Sequence, residues 1–142
     1  MEYSIGCTAI IEDRHVGYDV ELVQIQLGAK IRFPVKPAKA KELRSQALAF
    51  KDTDAVQNAL LSMQGCRPGP DETVDYLGRG LSYARFTVKT DAIHVQNDSS
   101  PKEFSKIYES LIEAWPNLLI FDLQNGQLHN AKSFLEWWSK PL

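Results

Sequence analysis

A capped amphipathic helix set between two strand-like runs constrains this chain more than any other feature. Ser100-Pro101-Lys102-Glu103 opens it. The serine hydroxyl can accept a first-turn amide, the proline sits where a missing N–H costs nothing, and the glutamate completes a capping box. Phe104, Ile107, Tyr108, Leu111, Ile112 and Trp115 then recur at helical spacing, and Pro116 stops the pattern. Such a face must be buried, and its neighbours supply the surface. Ala92 to Gln96 alternates in hydropathy, while Leu118 to Leu123 is a short apolar run that reads as a buried strand. The β-α-β order from Ala92 to Leu123 predicts one parallel pair joined by a right-handed crossover.

Other segments fill in a mostly antiparallel sheet. Tyr3 to Ile11 reads as a strand; Asp19 to Leu27 and Lys30 to Lys36 alternate around Gly28 and predict a hairpin with Ile31, Phe33 and Val35 on its inner side. Tyr83 to Lys89 and Ala92 to Gln96 form a second hairpin across Thr90-Asp91. Asn125-Gly126 supplies the positive φ of a third, whose return strand is Gln127 to His129. Helices are expected over Ala38 to Phe50 after Pro37, over Asp54 to Met63 after an Asp52 or Thr53 cap, and over Ala131 to Ser139 after Asn130. In the last of these, Phe134, Leu135 and Trp138 form the docking face. The expectation is one α+β domain over residues 1–142, a mainly antiparallel sheet of five to seven strands with three or four helices largely on one face.

Composition excludes several classes. With 44% hydrophobic and 24% charged residues the chain is neither a disordered tail nor a coiled coil. No apolar run is long enough to span a bilayer, and the start Met1-Glu2-Tyr3-Ser4 lacks a signal-peptide plan, so a cytoplasmic protein with no membrane partner is expected. A net charge of −2 argues against direct nucleic-acid binding. That average hides a segregation: residues 30–51 carry seven basic residues and one acid, whereas residues 52–142 carry eight basic residues and twelve acids. Lys36, Lys39, Lys41 and Arg44 cluster at a helix start, beside Lys30 and Arg32 on the preceding strand, and read as a solvated face, with pairing to an acidic neighbour as the alternative.

A hydrolase would have to assemble Cys7 or Cys66 with His15, His94 or His129, and no nucleophile-elbow motif frames any of them. His94 and His129 read as solvated strand residues, and the two cysteines as reduced and structural. The histidine spacing brings no two ligands to one face, so neither a metal nor a cofactor is expected. Gly78-Arg79-Gly80 is a turn rather than a phosphate cradle.

The most suggestive segment is Gly65 to Gly80, whose prolines and glycines read as the longest loop. It carries Asp71, Glu72 and Asp75 beside Tyr76. Three carboxylates and an amphipathic aromatic can engage a basic groove on a protein partner, and these four residues are the candidate binding site. The plainer readings are that the acids keep a loop soluble, or that Arg79 and Arg85 neutralise them internally.

In size, acidic balance, absence of an export signal and the layout Pro116-Asn-Leu-Leu-Ile-Phe-Asp-Leu-Gln-Asn-Gly-Gln-Leu-His-Asn-Ala-Lys-Ser-Phe-Leu-Glu-Trp-Trp138, the chain resembles the small cytoplasmic immunity proteins that bacteria make against their own secreted toxins. The resemblance implies a compact α+β domain that blocks a toxin's active site or cleft. It also implies a toxin acting in the cytoplasm, such as a nuclease. The alternative is a small cytosolic hydrolase using the Cys and His residues.

Overall fold

A computed structural model describes residues 18–27 and 30–139. The strand expected at Tyr3 to Ile11, the turn at Gly28, Cys7 and His15 lie outside the described residues.

The chain runs β1 (Tyr18–Gln24), α1 (Pro37–Arg44), α2 (Thr53–Leu61), β2 (Cys66–Pro68), β3 (Val74–Leu77), β4 (Tyr83–Val88), β5 (Ile93–Asp98), α3 (Pro101–Ala114), β6 (Leu118–Asp122), β7 (Leu128–His129) and α4 (Ala131–Ser139). The strands form one seven-stranded sheet in the order β2-β3-β4-β5-β1-β6-β7, and every neighbouring pair is antiparallel. The α+β class and the sheet-with-four-helices architecture are those the sequence predicts. No helix among the described residues is long and apolar enough to cross a membrane.

Alternation along the strands divides the core in two. One face sends Val20, Leu22, Phe86, Ile93, Val95, Leu118 and Ile120 into the main cluster, where they meet Val56 and Leu60 of α2, Phe104, Ile107, Tyr108 and Leu111 of α3, and Phe134 and Trp138 of α4. Among the described residues, the opposite face is covered only toward the β1-β6-β7 end. There Ala40 and Leu43 of α1, with Val35, pack on Val23, Leu119 and Leu128. Over β2 to β5 no described helix covers the second face, which carries Asp75, Tyr83, Arg85, Thr87, His94 and Gln96.

The strongest sequence signals form as expected. Ser100 caps α3 by accepting the Glu103 amide at 3.2 Å, Asp52 caps α2 through the Ala55 amide, and Asn130 caps α4 through the Ser133 amide at 2.8 Å. α2 ends at Leu61 rather than at Gly65, and Gly65, just ahead of β2, and Gly126, in the β6–β7 turn, take positive φ of 89° and 80°.

Four expectations are corrected. Lys30 to Lys36 does not pair with β1, because β5 and β6 occupy both of its edges. The segment touches the sheet only where Val35 bridges Leu128, yet it keeps the expected in–out pattern, with Val35 buried and Lys30, Arg32, Pro34 and Lys36 exposed. The helix expected to reach Phe50 ends at Arg44, since the chain turns back so that the Leu48 amide donates to Gln24 O and the Phe50 amide to Thr90 O. β5 and β6 run parallel, but β1 lies between them, so the β-α-β unit crosses over a strand instead of making a parallel pair. Trp115 is the C-cap of α3, only partly buried, with its ring edge-on to Phe50 at 6.4 Å.

These placements set an order of stabilities. Leu111→Ala, fully buried under α3, is expected to cost about 2–5 kcal/mol. Ser100→Ala should cost about 1 kcal/mol through the lost cap. Trp115→Ala, at the partly buried end of the helix, should cost less than Leu111→Ala in urea denaturation.

Candidate functional site

The Gly65 to Gly80 segment is a folded edge of the sheet and not a free loop. Its prolines are compatible with this because β2 is an outermost strand, where Pro68 needs no N–H for a ladder partner. Between β2 and β3 the chain makes a tight turn: the Gly69 amide donates to Thr73 O at 2.8 Å, and the Thr73 amide and hydroxyl both donate to Pro70 O, at 3.1 and 2.6 Å. Gln57 of α2 ties the turn down by donating from Nε2 to Glu72 O at 3.0 Å. A Cβ on Gly69 would collide with Thr73 Oγ1 and the Asp75 carboxyl, so only glycine fits there.

Inside this turn, Asp71 and Glu72 have φ values of 53° and 63°. Left-handed backbone costs a non-glycine residue on the order of 1 kcal/mol or more. Two such residues in succession are held there by the surrounding hydrogen bonds, with both side chains exposed at the corner of the molecule.

The four sequence candidates therefore separate. Asp71 and Glu72 present their carboxylates to solvent. Asp75 is paired internally: its carboxylate accepts Arg85 Nε at 2.8 Å and Nη2 at 3.1 Å, and Tyr83 OH at 3.3 Å. The Arg85 guanidinium holds its pKa below the ordinary carboxylate value, so Arg85 is the neutralising base. Tyr76 is buried and points into the core, donating its hydroxyl to Glu103 Oε1 at 2.5 Å. Burial, helped by that carboxylate, pushes the phenol up to about 12.

Glu103 is the residue that sequence reasoning recognised only as a cap. It accepts Tyr76 OH from β3, the Arg79 amide at 3.2 Å from the β3–β4 turn, and Ser100 Oγ at 2.8 Å. Burial alone would raise its pKa, but the hydroxyls of Tyr76, Ser82 and Ser100 and the Arg79 amide outweigh it and hold the carboxyl at about 2. A Cβ at Gly78 would fall inside the Glu103 carboxylate, which explains the first glycine of Gly78-Arg79-Gly80.

Among the described residues the pieces of a hydrolase are not brought together. Cys66 lies on β2, His94 on β5 and His129 on β7; β2 and β7 are opposite edges of the sheet, roughly 29 Å apart at six strand spacings. His94 also projects from the open face, near Asp19 at 3.7 Å. Burial pushes the Cys66 thiol up to about 11, which keeps it protonated and a poor nucleophile at neutral pH. His129 corrects the expectation of a solvated residue. It is fully buried, with Nδ1 2.9 Å from Ser133 Oγ and Nε2 without a hydrogen-bond partner among the described residues.

Beside it lies buried Asp122, which accepts Tyr18 OH and the amides of Gln124 and Asn125 at 2.8 and 3.0 Å. Asp122, His129 and Ser133 have the side chains of a hydrolytic triad without its arrangement, because the aspartate is consumed by the hairpin turn and the serine meets Nδ1 under α4. This cluster braces β6, β7 and α4. Its one sequence signal was the aspartate ahead of Asn125-Gly126. Among the described residues no group of three or more His, Cys, Asp or Glu side chains is gathered to hold a metal ion.

No protein-family model, curated protein or solved structure matches this chain.

Two acid-sensitive points follow. Because folding depresses Glu103 from 4.5 to about 2, the stability it supplies is full above pH 4.5 and is lost as the pH falls toward 2. Burial, opposed by Asp122, lowers the His129 pKa from 6.5, so folding weakens as the pH drops below that value. In urea melts across pH, Glu103→Gln should flatten the lower phase and His129→Gln the upper one. Gly78→Ala should destabilise at every pH.

Proposed function

We propose that this protein is a protein-binding inhibitor of the immunity type, which neutralises a cognate bacterial toxin in the cytoplasm by seating the Asp71-Glu72 turn in a basic groove at the toxin's active site or cleft. The observation that carries this reading is the backbone of that turn. Strained left-handed residues persist where the surrounding structure holds them, and they cluster at sites of function. Here two successive acidic residues sit on such backbone with their side chains exposed, and Gly69, Pro70, Thr73 and Gln57 hold that backbone before any partner arrives. Preorganisation of this kind lowers the entropy lost on docking.

A groove built to handle nucleic-acid phosphate is rich in Lys and Arg, so a nuclease fits the charge of the tip. Asp75 and Tyr76 stand behind it and shape the hairpin. The high thiol pKa of Cys66 and its separation across the sheet from His94 and His129 favour binding over a hydrolytic role for these residues.

The test is isothermal calorimetry at two ionic strengths with the toxin partner recovered by co-purification from the native host. The double variant Asp71→Lys/Glu72→Lys should lose at least tenfold in affinity and flatten its salt dependence. Lys39→Glu/Lys41→Glu, Cys66→Ala and His94→Ala should bind as the parent does. Glu72→Gly supplies a separate check: it relieves backbone strain, so it should leave the thermal midpoint equal or higher while weakening binding. Undiminished affinity in the charge-reversed variant would overturn the assignment of the acidic turn.

A further inference from the structure

The β7–α4 end of the sheet, at the edge opposite the acidic turn, encloses an ionisable group that the proposed function does not use. His129 is fully buried on β7. Its Nδ1 lies 2.9 Å from Ser133 Oγ, while Nε2 has no hydrogen-bond partner among the described residues. The rings of Phe134 and Trp137, with centroids 5.5 and 6.3 Å from that of the imidazole, close over it from α4. A neutral ring fits this enclosure. A second proton would add a charge and an N–H that no described group accepts, and burying such a group is costly.

The charged groups of the neighbouring elements do not remove that cost. From β6, Asp122 acts against the effect of burial, but its carboxylate already accepts Tyr18 OH of β1 and the Gln124 and Asn125 amides. Lys132 and Glu136 of α4 have exposed side chains, as do Arg32 and Lys36 on the segment that bridges β7 through Val35.

The unit above the imidazole is also the one least woven into the sheet. β7 is two residues long, paired to β6 and bridged by Val35. α4 follows directly and docks through Phe134 and Trp138 on Phe104 of α3, with ring centroids 5.6 and 5.7 Å apart. Short peripheral elements open locally at less cost than central strands do.

We infer that His129 is an acid-sensitive latch: protonation of its imidazole releases α4 while β1, β5 and β6 stay paired, and this uncovers Phe104 and Ile120, which line the groove between α3 and α4 together with Phe134 and Trp138. The sign follows from burial. The docked imidazole titrates below 6.5 and a released one regains water, so the released form takes up the proton more readily. Its population should rise by up to about tenfold for each pH unit below 6.5, until the docked ring itself titrates.

The test is amide hydrogen exchange on the whole chain between pH 7 and pH 5, a window above the range in which protonation of Glu103 acts, with rates expressed as protection relative to the unstructured chain. Protection of the α4 amides should fall by more than about fivefold across this window, while that of β1 and β5 holds. His129→Gln should abolish the pH dependence, whereas His15→Ala and His94→Ala should keep it. Should the glutamine variant not fold, the His129 ring signal in the parent decides, since its midpoint must lie below 6.5 and track the loss of α4 protection. Constant protection of α4, or an equal loss over the whole sheet, would overturn the latch. So would a pH response that persists in His129→Gln, or a His129 midpoint at or above 6.5.

Discussion

The Glu103 carboxylate is the junction on which the candidate surface depends. It begins as part of a local helix cap, an arrangement any Ser-Pro-x-Glu sequence can make. Here the same two oxygens also receive the Tyr76 hydroxyl from β3 and the Arg79 amide from the next turn. One side chain thus joins the start of α3 to the outer hairpins of the sheet. Charge-assisted hydrogen bonds are the stronger kind, and several on one partly buried carboxylate outweigh the burial that opposes its ionisation. The glycine at position 78 is fixed by this junction, since any side chain would displace the carboxylate. The Arg79 amide at the head of the β3–β4 turn is held by the same carboxylate.

What was legible in the sequence was local. Caps at Asp52, Ser100 and Asn130, the Asn125-Gly126 turn and the β4–β5 hairpin each depend on residues within a few positions of one another, and each forms. The failures share a different cause. Alternation at Lys30 to Lys36 correctly sorted inward from outward side chains, but alternation cannot say which strand claims the edges of β1, and β5 and β6 arrive from far along the chain. Helix propensity from Ala38 onward ran past Arg44 because it cannot see the backbone bonds that Gln24 and Thr90 offer to Leu48 and Phe50. At Gly65 to Gly80 the density of proline and glycine read as a loop, but Pro68 falls on the edge strand β2, which tolerates it, and Val74–Leu77, which holds neither residue type, forms the inner strand β3.

The candidate site was half legible for the same reason. Four acidic or aromatic residues in one surface segment can be read from the sequence; their division cannot. Tyr76 turns inward because it alternates with Asp75 on β3, and Asp75 meets Arg85 because β3 and β4 pair in that register. Neither the register nor the left-handed backbone at Asp71 and Glu72 has a signature in composition.

The two edges of the sheet use buried or partly buried acids in the same way and to different ends. At the β7 edge, Asp122 spends its oxygens on Tyr18 and on the turn that follows, so that polar groups close the sheet beneath α4. At the β2 edge, Glu103 and Asp75 do the same for the outer hairpins. Because those carboxylates are already satisfied by internal donors, they contribute order and little outward charge. Asp71 and Glu72 differ in that the fold spends backbone strain on them and takes no hydrogen bond from either carboxylate among the described residues. Their exposed position on left-handed backbone is what the function proposed above assigns to contact with a cationic partner.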